Sequence, residues 1–366
     1  MLFIKMEDLK VGMRLAKPIF NKNGVLLYDR DTKITAQGIT SIKNFGLLGL
    51  YILEPAEPLP PLSEEEREFE RFQTMSVFSL KNDLKFLIQN KKTKNLKGLA
   101  EDIIKKYGSL KDKINFIQDI RSTEDYLFKH SLNVAMLSAL ISKKLKIDQP
   151  RTLDIVLTAL VHDVSHLKLK PNLMNKFEGF DEKELEEVRK SRTEAINSVE
   201  VNKETSVKVT KLLTQIHRGL DELYNTKTNV FPRISVDASI VLTAEAYDRL
   251  TTMRLNKNPI SEISAIRMLM SMPKAFSEQV VKALIDSIYI LPPGLCVELS
   301  NGEKGLVINE NSEDIQRPMV LGFKDNQIYD LGNNKVFKQI QIADVMKTMD
   351  NRFVIDRKLL EEFRRI

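Results

Sequence analysis

Apolar residues recur at helical spacing through the middle of this 366-residue chain, and this pattern constrains the fold more than any other feature. Leu132, Met136 and Leu140 lie about one helical turn apart, and residues 153–161 repeat the pattern. Such a stripe is typical of a helix that packs one face into a core. The sequence therefore predicts a helical domain over residues 122–290.

Segments of β character flank this domain. Residues 1–54 contain short apolar runs and an Asn23-Gly24 turn, which is typical of a β-hairpin. A proline-rich linker is predicted over residues 55–63. A helical connector follows over residues 64–121, with helices over Leu96–Tyr107 and Lys111–Arg121. Residues 291–366 form a β-rich tail with a terminal helix from Arg357. We predict a mainly α fold, a helical bundle with a small β-rich N-terminal module and a small β-rich C-terminal tail.

Composition excludes several classes of protein. The chain has 56 basic and 50 acidic residues, a small excess that does not indicate binding to a nucleic-acid polymer. No stretch approaches the roughly 20 apolar residues that a membrane-spanning helix needs. The single cysteine, Cys296, cannot form an internal disulfide. We therefore expect a cytoplasmic protein without a membrane span.

The histidines are the residues most suggestive of chemistry. All four lie in the predicted helical domain: His130, His162, His166 and His217. His162 is followed by Asp163, and imidazole and carboxylate ligands suit zinc, manganese or iron. His130 would add a third ligand from an earlier helix, and either Glu245 or Asp248 would add a carboxylate from a later one. The alternative is four imidazoles without a shared partner.

Four segments carry a recognisable set of motifs. Residues 124–131 read E-D-Y-L-F-K-H-S, similar to D-x-Y-T-x-x-H-S, and residues 162–166 read H-D-V-S-H, similar to H-D-[IV]-G-K. Residues 170–184 resemble P-x-x-I-L-x-K-P-G-x-L-x-x-E, and residues 244–254 read A-E-A-Y-D-R-L-T-T-M-R, similar to A-D-V-Y-D-A-L-T-x-x-R. Together they resemble the HD-GYP family of the HD superfamily of metal phosphohydrolases, and residues 1–54 resemble a β domain found ahead of such domains.

The resemblance implies hydrolysis of cyclic-di-GMP, a bacterial second messenger, with two or three metal ions. The family's first metal site falls on His130, His162, Asp163 and Glu245. The region of Arg254 and Lys257 contacts substrate phosphates in the family. A solvated helix end is the alternative for these two residues.

Other positions depart from the family. Ser191 and Ile216 stand where it has histidine ligands, and Arg218 stands for a glutamate. Tyr224-Asn225-Thr226 takes the place of the G-Y-P signature, and His166 takes that of the lysine in H-D-x-G-K. We therefore expect at most one divalent ion, manganese, iron or zinc. His166 remains a candidate ligand for the ion or for substrate, and His217 a candidate catalytic residue.

Three hypotheses of function follow. The first is a bacterial signalling protein with a degenerate HD-GYP domain, which has little or no cyclic-di-GMP phosphodiesterase activity and acts by binding a ligand or a protein. The second is an active metal-dependent phosphohydrolase acting on cyclic-di-GMP or another phosphoester. The third is a helical scaffold whose β modules dock to other proteins. The candidate partners are cyclic-di-GMP, other proteins and a second copy of the chain.

Overall fold

The computed structural model describes most of the chain. The described residues are 2–21, 25–44, 47, 49–53, 64–114, 116, 125–174, 176, 178–226, 230–252, 259–324 and 326–346. The predicted Asn23-Gly24 turn, the proline-rich linker over 55–63 and the terminal helix from Arg357 lie outside these residues.

The N-terminal module combines small sheets with one helix. Its elements are β1 (Leu2–Lys5), β2 (Arg14–Leu15), β3 (Ile19–Phe20), β4 (Leu26–Tyr28), α1 (Ala36–Lys43) and β5 (Gly49–Leu53). Strand β5 lies between β1 and β2, antiparallel to both, and β3 pairs with β4. The Thr35 hydroxyl accepts a hydrogen bond from the Gly38 amide and so caps α1. Leu15, Ile42 and Leu50 form the fully buried centre of the module.

Two helices connect this module to the rest of the chain: α2 (Glu64–Asn90) and α3 (Leu96–Lys106). The Lys17 ammonium lies 3.2 Å from a Glu70 carboxylate oxygen, and this ion pair joins the N-terminal module to α2. The Lys17 side chain is 2% exposed, and a charge buried to this extent is costly unless it is paired. The helix predicted from Lys111 is wrong over Lys111–Ile114, where Ile114 forms a parallel bridge with Ile288.

The central domain is a helical bundle. Its helices are α4 (Tyr126–Lys144), α5 (Gln149–Val161), α6 (Pro171–Met174), α7 (Glu182–Val201), α8 (Val207–Asp221), α9 (Val236–Thr251), α10 (Glu262–Met270) and α11 (Glu278–Ile285). A 3-10 helix over Val164–Lys168 follows α5, and a π-helical turn over Glu222–Thr226 follows α8. Helix α4 is buried on nearly every side because it packs against α2, α5, α9 and α11. The centre of the bundle therefore lies where α4, α5 and α9 meet.

The C-terminal tail forms an antiparallel sheet beside α10. Its elements are β6 (Cys296–Leu299), β7 (Lys304–Asn309), β8 (Met319–Gly322), β9 (Ile328–Asp330), α12 (Asn334–Phe337) and β10 (Ile342–Val345). The strand order is β10-β6-β7-β8-β9. Arg267 of α10 donates hydrogen bonds to the carbonyls of Ile342 and Ala343, which attaches the sheet to the bundle.

The predicted fold class is confirmed: a mainly helical chain with small β modules at both ends of its described part. Among the described helices, we find none with the length and apolar character required to cross a bilayer. The predicted domain boundaries stay a prediction.

Candidate metal centre

Three of the predicted metal ligands meet where α4 and α5 pack together. His130 lies in the first half of α4, His162 ends α5, and Asp163 precedes the 3-10 helix. Each side chain offers one ligand atom, and these atoms all lie within 4.8 Å of one another. All three residues are at most 2% exposed, so the cluster is held by the core of the bundle.

The hydrogen bonds fix the tautomers of both histidines. His162 Nδ1 lies 2.7 Å from the Ala159 carbonyl oxygen, which only accepts, so Nδ1 carries the proton. His130 Nδ1 lies 2.7 Å from Asp248 Oδ2 and donates to that carboxylate. Burial lowers the pKa of His130, which keeps its ring neutral. In these tautomers of the neutral rings both Nε2 atoms carry a lone pair, and they lie 3.4 Å apart.

The carboxylate of Asp163 completes this set of acceptors. Its Oδ2 atom is buried, has no hydrogen-bond partner, and lies 3.4 Å from His162 Nε2 and 3.6 Å from His130 Nε2. Burial opposes ionisation of the Asp163 carboxyl, but the positive charges of the neighbouring histidines, when these are protonated, and of Arg249 hold its pKa below the usual range. It is therefore a charged acceptor facing two lone pairs.

A divalent cation satisfies this arrangement. The two imidazole Nε2 atoms and Asp163 Oδ2 converge, and none of the three donates a hydrogen bond to another. The Asp163 carboxylate is also a buried charge, which is costly unless a cation balances it. Two imidazole nitrogens and one carboxylate oxygen form a ligand set that suits zinc, manganese or iron. The described residues thus fit the metal that the sequence motifs imply.

Glu245 and Asp248, both on α9, have different surroundings. One Glu245 carboxylate oxygen contacts the Arg249 guanidinium, and the other accepts a hydrogen bond of 3.3 Å from the Tyr224 hydroxyl. Glu245 is thus outside the group of three described residues that converge. Asp248 lies behind His130 and orients its ring, as carboxylates commonly do for metal-binding histidines.

The remaining two histidines line the same region through backbone contacts. His217 Nε2 donates to the His162 carbonyl oxygen at 2.9 Å, and its buried Nδ1 has no hydrogen-bond partner. His166 Nδ1 donates to the Met174 carbonyl oxygen at 3.1 Å. Burial is the main cause that lowers the pKa of His166 to about 4 and that of His217 to about 3, so both rings are neutral near pH 7.

Two of the positions that depart from the family, Ser191 and Ile216, hold no metal ligand. The Ser191 hydroxyl on α7 donates to the Ser165 carbonyl oxygen at 2.7 Å. Ile216 on α8 is fully buried and forms part of the hydrophobic core. Both side chains are therefore used for packing and hydrogen bonding. The predicted phosphate-binding residues Arg254 and Lys257 lie outside the described residues.

Sequence reasoning missed three residues around the cluster. Arg249 contacts Glu245 and lies 4.0 Å from Asp163. Asn133, one turn after His130, donates to Asp248 Oδ1 at 2.9 Å and accepts from Gln73 of α2 at 3.0 Å. For Asn133 and Arg249 the available signal is spacing, since each lies three or four residues from a predicted ligand on its own helix. Nothing in the sequence places Gln73 beside them.

Comparison with known proteins gives two relatives of known activity. A cyclic di-GMP phosphodiesterase, PA4108 of Pseudomonas aeruginosa, is 23% identical over 204 residues, which cover 56% of this chain and 49% of that protein. A second, PdeB of Borreliella burgdorferi, is 24% identical over 210 residues, which cover 57% of this chain and 55% of that protein. The chain thus matches about half the length of each relative.

Two further comparisons complete this result. No family model matches the chain. Among solved structures, Bd1817, described as an HDG"Y"P protein from Bdellovibrio bacteriovorus, aligns with 18% identity and a TM-score of 0.46, over 78% of this chain and 98% of that one. The sequence similarity to the two phosphodiesterases covers more than half of the chain. With the motifs of the helical domain, this sequence similarity confirms that the chain resembles the HD-GYP family.

Proposed function

We propose that this chain is a bacterial signalling protein whose HD-type domain holds one divalent ion and hydrolyses little or no cyclic-di-GMP. It would act by binding the nucleotide or a protein. The observation that supports this best is the contrast within the site: His130, His162 and Asp163 converge as acceptors, while Ser191 and Ile216 offer no ligand. The similarity to two cyclic-di-GMP phosphodiesterases supports the choice of nucleotide.

The loss of a second ion matters for hydrolysis. Two-metal enzymes hold the attacking and the leaving oxygen between ions about 3.5–4 Å apart. Asp163 is available as a shared carboxylate, but a second ion also needs ligands of its own. The Ser191 hydroxyl donates its proton to a carbonyl, and Ile216 is apolar. The described site therefore supports one ion rather than two.

The residues around the ion have separate tasks. Bound there, a divalent ion would act as a Lewis acid toward a phosphate oxygen or a water molecule. His130, His162 and Asp163 would hold it. Asp248 keeps the His130 lone pair directed at the cluster, and the His217 N–H fixes the backbone at His162. The burial of these residues excludes bulk water from the ligand atoms.

The second candidate function is an active phosphohydrolase. Two observations favour it: the activity named for both relatives, and His217, whose buried Nδ1 lacks a hydrogen-bond partner and carries a lone pair. One ion can lower the pKa of its bound water to about 7. In this hypothesis His217 would orient the substrate or the leaving group.

Purified chain loaded with manganese or iron tests both functions. We expect at most one ion per chain by elemental analysis, calorimetric binding of cyclic-di-GMP, and no multiple turnover by chromatography of the products. The matched control is Asp237→Asn, which changes a carboxylate of α9 that pairs with Arg151. Multiple turnover that is retained in this control and abolished by His162→Ala would establish the phosphohydrolase instead.

Protein partners are a separate part of the proposal. The N-terminal module and the C-terminal sheet both contact the helical part of the chain, through Lys17 and Arg267 respectively. In this proposal either of them would also bind another protein or a second copy of the chain. Pull-down with the full chain, and light scattering for its oligomeric state, would test this part. The cytoplasmic location stays a prediction.

A further inference from the structure

A buried positive charge lies beside the three converging ligands. The Arg249 side chain is 4% exposed, its guanidinium contacts one carboxylate oxygen of Glu245, and Nη2 lies 4.0 Å from Asp163 Oδ2. The guanidinium carbon also lies 4.9 Å from the centre of the Tyr224 ring, whose hydroxyl donates to Glu245. Arg249 is thus held by an aromatic face and by a carboxylate one helical turn away.

We propose that Arg249 is the built-in counter-cation of this pocket, and that its guanidinium competes with a divalent ion for Asp163 and Glu245. This inference rests on the proposed one-ion site and gives Arg249 a role in setting its affinity. In the metal-free chain the guanidinium balances one of the two carboxylate charges and is shared between them. When an ion binds, it must share Asp163 with Arg249, and it gains Glu245 only if the guanidinium releases it.

The balance of buried charge supports this role. Asp163, Glu245 and Asp248 are at most 2% exposed. Although burial opposes it, contact with Glu245 raises the pKa of Arg249 above its usual range, so the guanidinium stays charged. Over these four groups two negative charges remain, which one divalent ion balances. A second divalent ion would reverse the sign and leave a buried excess of positive charge, which is costly.

The geometry also distinguishes this arrangement from an ordinary helical ion pair. Pairs four residues apart are usually exposed and contribute little. Here both partners are buried, and the guanidinium extends past Glu245 to within 4.0 Å of Asp163. That is within the distance of about 4–6 Å at which an opposite charge acts on a carboxylate. The same Oδ2 atom of Asp163 has no hydrogen-bond partner and faces both histidines.

Manganese titration of the full chain tests the inference. Arg249→Gln removes the charge and keeps a polar side chain, and we expect Mn²⁺ to bind at least about tenfold more tightly, because a like charge is removed from the vicinity of the ion. Arg249→Lys keeps the positive charge that opposes the ion, so its Mn²⁺ affinity should stay within about threefold of the wild type. The matched control is Arg151→Gln, because Arg151 of α5 also pairs with a carboxylate of α9, that of Asp237. Its Mn²⁺ affinity should be unchanged.

Thermal unfolding with and without chelator gives a second readout. Without its counter-cation, the metal-free Arg249→Gln chain should unfold at a lower temperature, and Mn²⁺ should raise its midpoint more than that of the wild type. If this variant folds only with Mn²⁺, the ion replaces the guanidinium, as proposed. If Arg249→Gln and Arg249→Met both fail to fold even with saturating Mn²⁺, the ion cannot replace it, and the inference is wrong.

The outcomes separate this inference from the proposed function. If the wild type binds no Mn²⁺, the one-ion site itself fails. If the wild type binds one ion and Arg249→Gln binds it with unchanged affinity and an equal rise in midpoint, only the role of Arg249 is refuted. If Arg249→Gln binds Mn²⁺ more tightly, while Arg249→Lys and Arg151→Gln bind it like the wild type, both the one-ion site and the role of Arg249 are supported.

Discussion

Replacing Asp248 by asparagine should weaken metal binding without removing a ligand. The Asp248 carboxylate accepts from His130 Nδ1 at 2.7 Å at one oxygen, and from Asn133 Nδ2 at 2.9 Å and the Thr252 hydroxyl at 3.3 Å at the other. An asparagine amide has one oxygen and one NH2 group, so it can accept from the donors on only one of these two sides in the same geometry. The donor on the other side meets an N–H group, and the conflict is buried because Asp248 is fully buried.

His130 can relieve this conflict by moving its proton to Nε2. That tautomer directs an N–H at the cluster, 3.4 Å from His162 Nε2, where a lone pair is needed to bind a cation. Metal binding then has to restore the original tautomer and its unfavourable contact. Changes in such supporting groups typically cost 10- to 100-fold in metal affinity. This corresponds to about 1.4–2.8 kcal/mol of binding free energy.

Calorimetric titration of Asp248→Asn with Mn²⁺ measures this loss. Asp237→Asn is the control, since it makes the same chemical change on α9 at a carboxylate that pairs with Arg151. The control should bind Mn²⁺ like the wild type. An Asp248→Asn chain that folds normally and binds Mn²⁺ within about threefold of the wild type would show that Asp248 does not set the His130 tautomer.

Two further predictions concern stability. Lys17→Met should lower the free energy of unfolding by about 3 kcal/mol, because it removes one member of a mostly buried ion pair. Lys97→Met, at a pair with more than half of each side chain exposed, should change the free energy of unfolding by less than about 0.5 kcal/mol, as measured by urea unfolding. The metal-free chain should lose stability as the pH falls below about 6.5, because the unfolded chain gains a proton that the buried His217, with its pKa lowered to about 3, does not accept. For His217 the loss of unfolding free energy approaches about 1.4 kcal/mol per pH unit. His217→Gln should therefore make the unfolding free energy fall less steeply with decreasing pH. An equal slope in the variant and the wild type would refute the assignment of this pH dependence to His217.

The convergence of His130, His162 and Asp163 could be predicted from sequence because its strongest signal is local. His162 and Asp163 are adjacent, and the apolar run before them predicts the helix that holds them. Local sequence does not predict which of Glu245 and Asp248 contacts His130. They lie three residues apart on one helix, and only the rotation of that helix against α4 decides which carboxylate reaches His130.

The fold shows the same division between local and long-range information. Helical spacing predicted the bundle, and turn residues indicated β modules at both ends. The helix predicted from Lys111 failed because Ile114 pairs instead with Ile288, a partner that lies far away in sequence. The helix propensity of a short segment predicts its structure only weakly, and long-range contacts of this kind override it.

Helix α2 joins two parts of the molecule that are far apart in sequence. Its Glu70 holds Lys17 of the N-terminal module, and its Gln73, one turn later, donates to the Asn133 amide that supports Asp248. A helix does not stretch along one turn, so these two attachment points move together. A displacement of the N-terminal module that kept the Lys17–Glu70 ion pair intact would therefore be passed through α2 to Gln73, and from there to the carboxylate that orients His130.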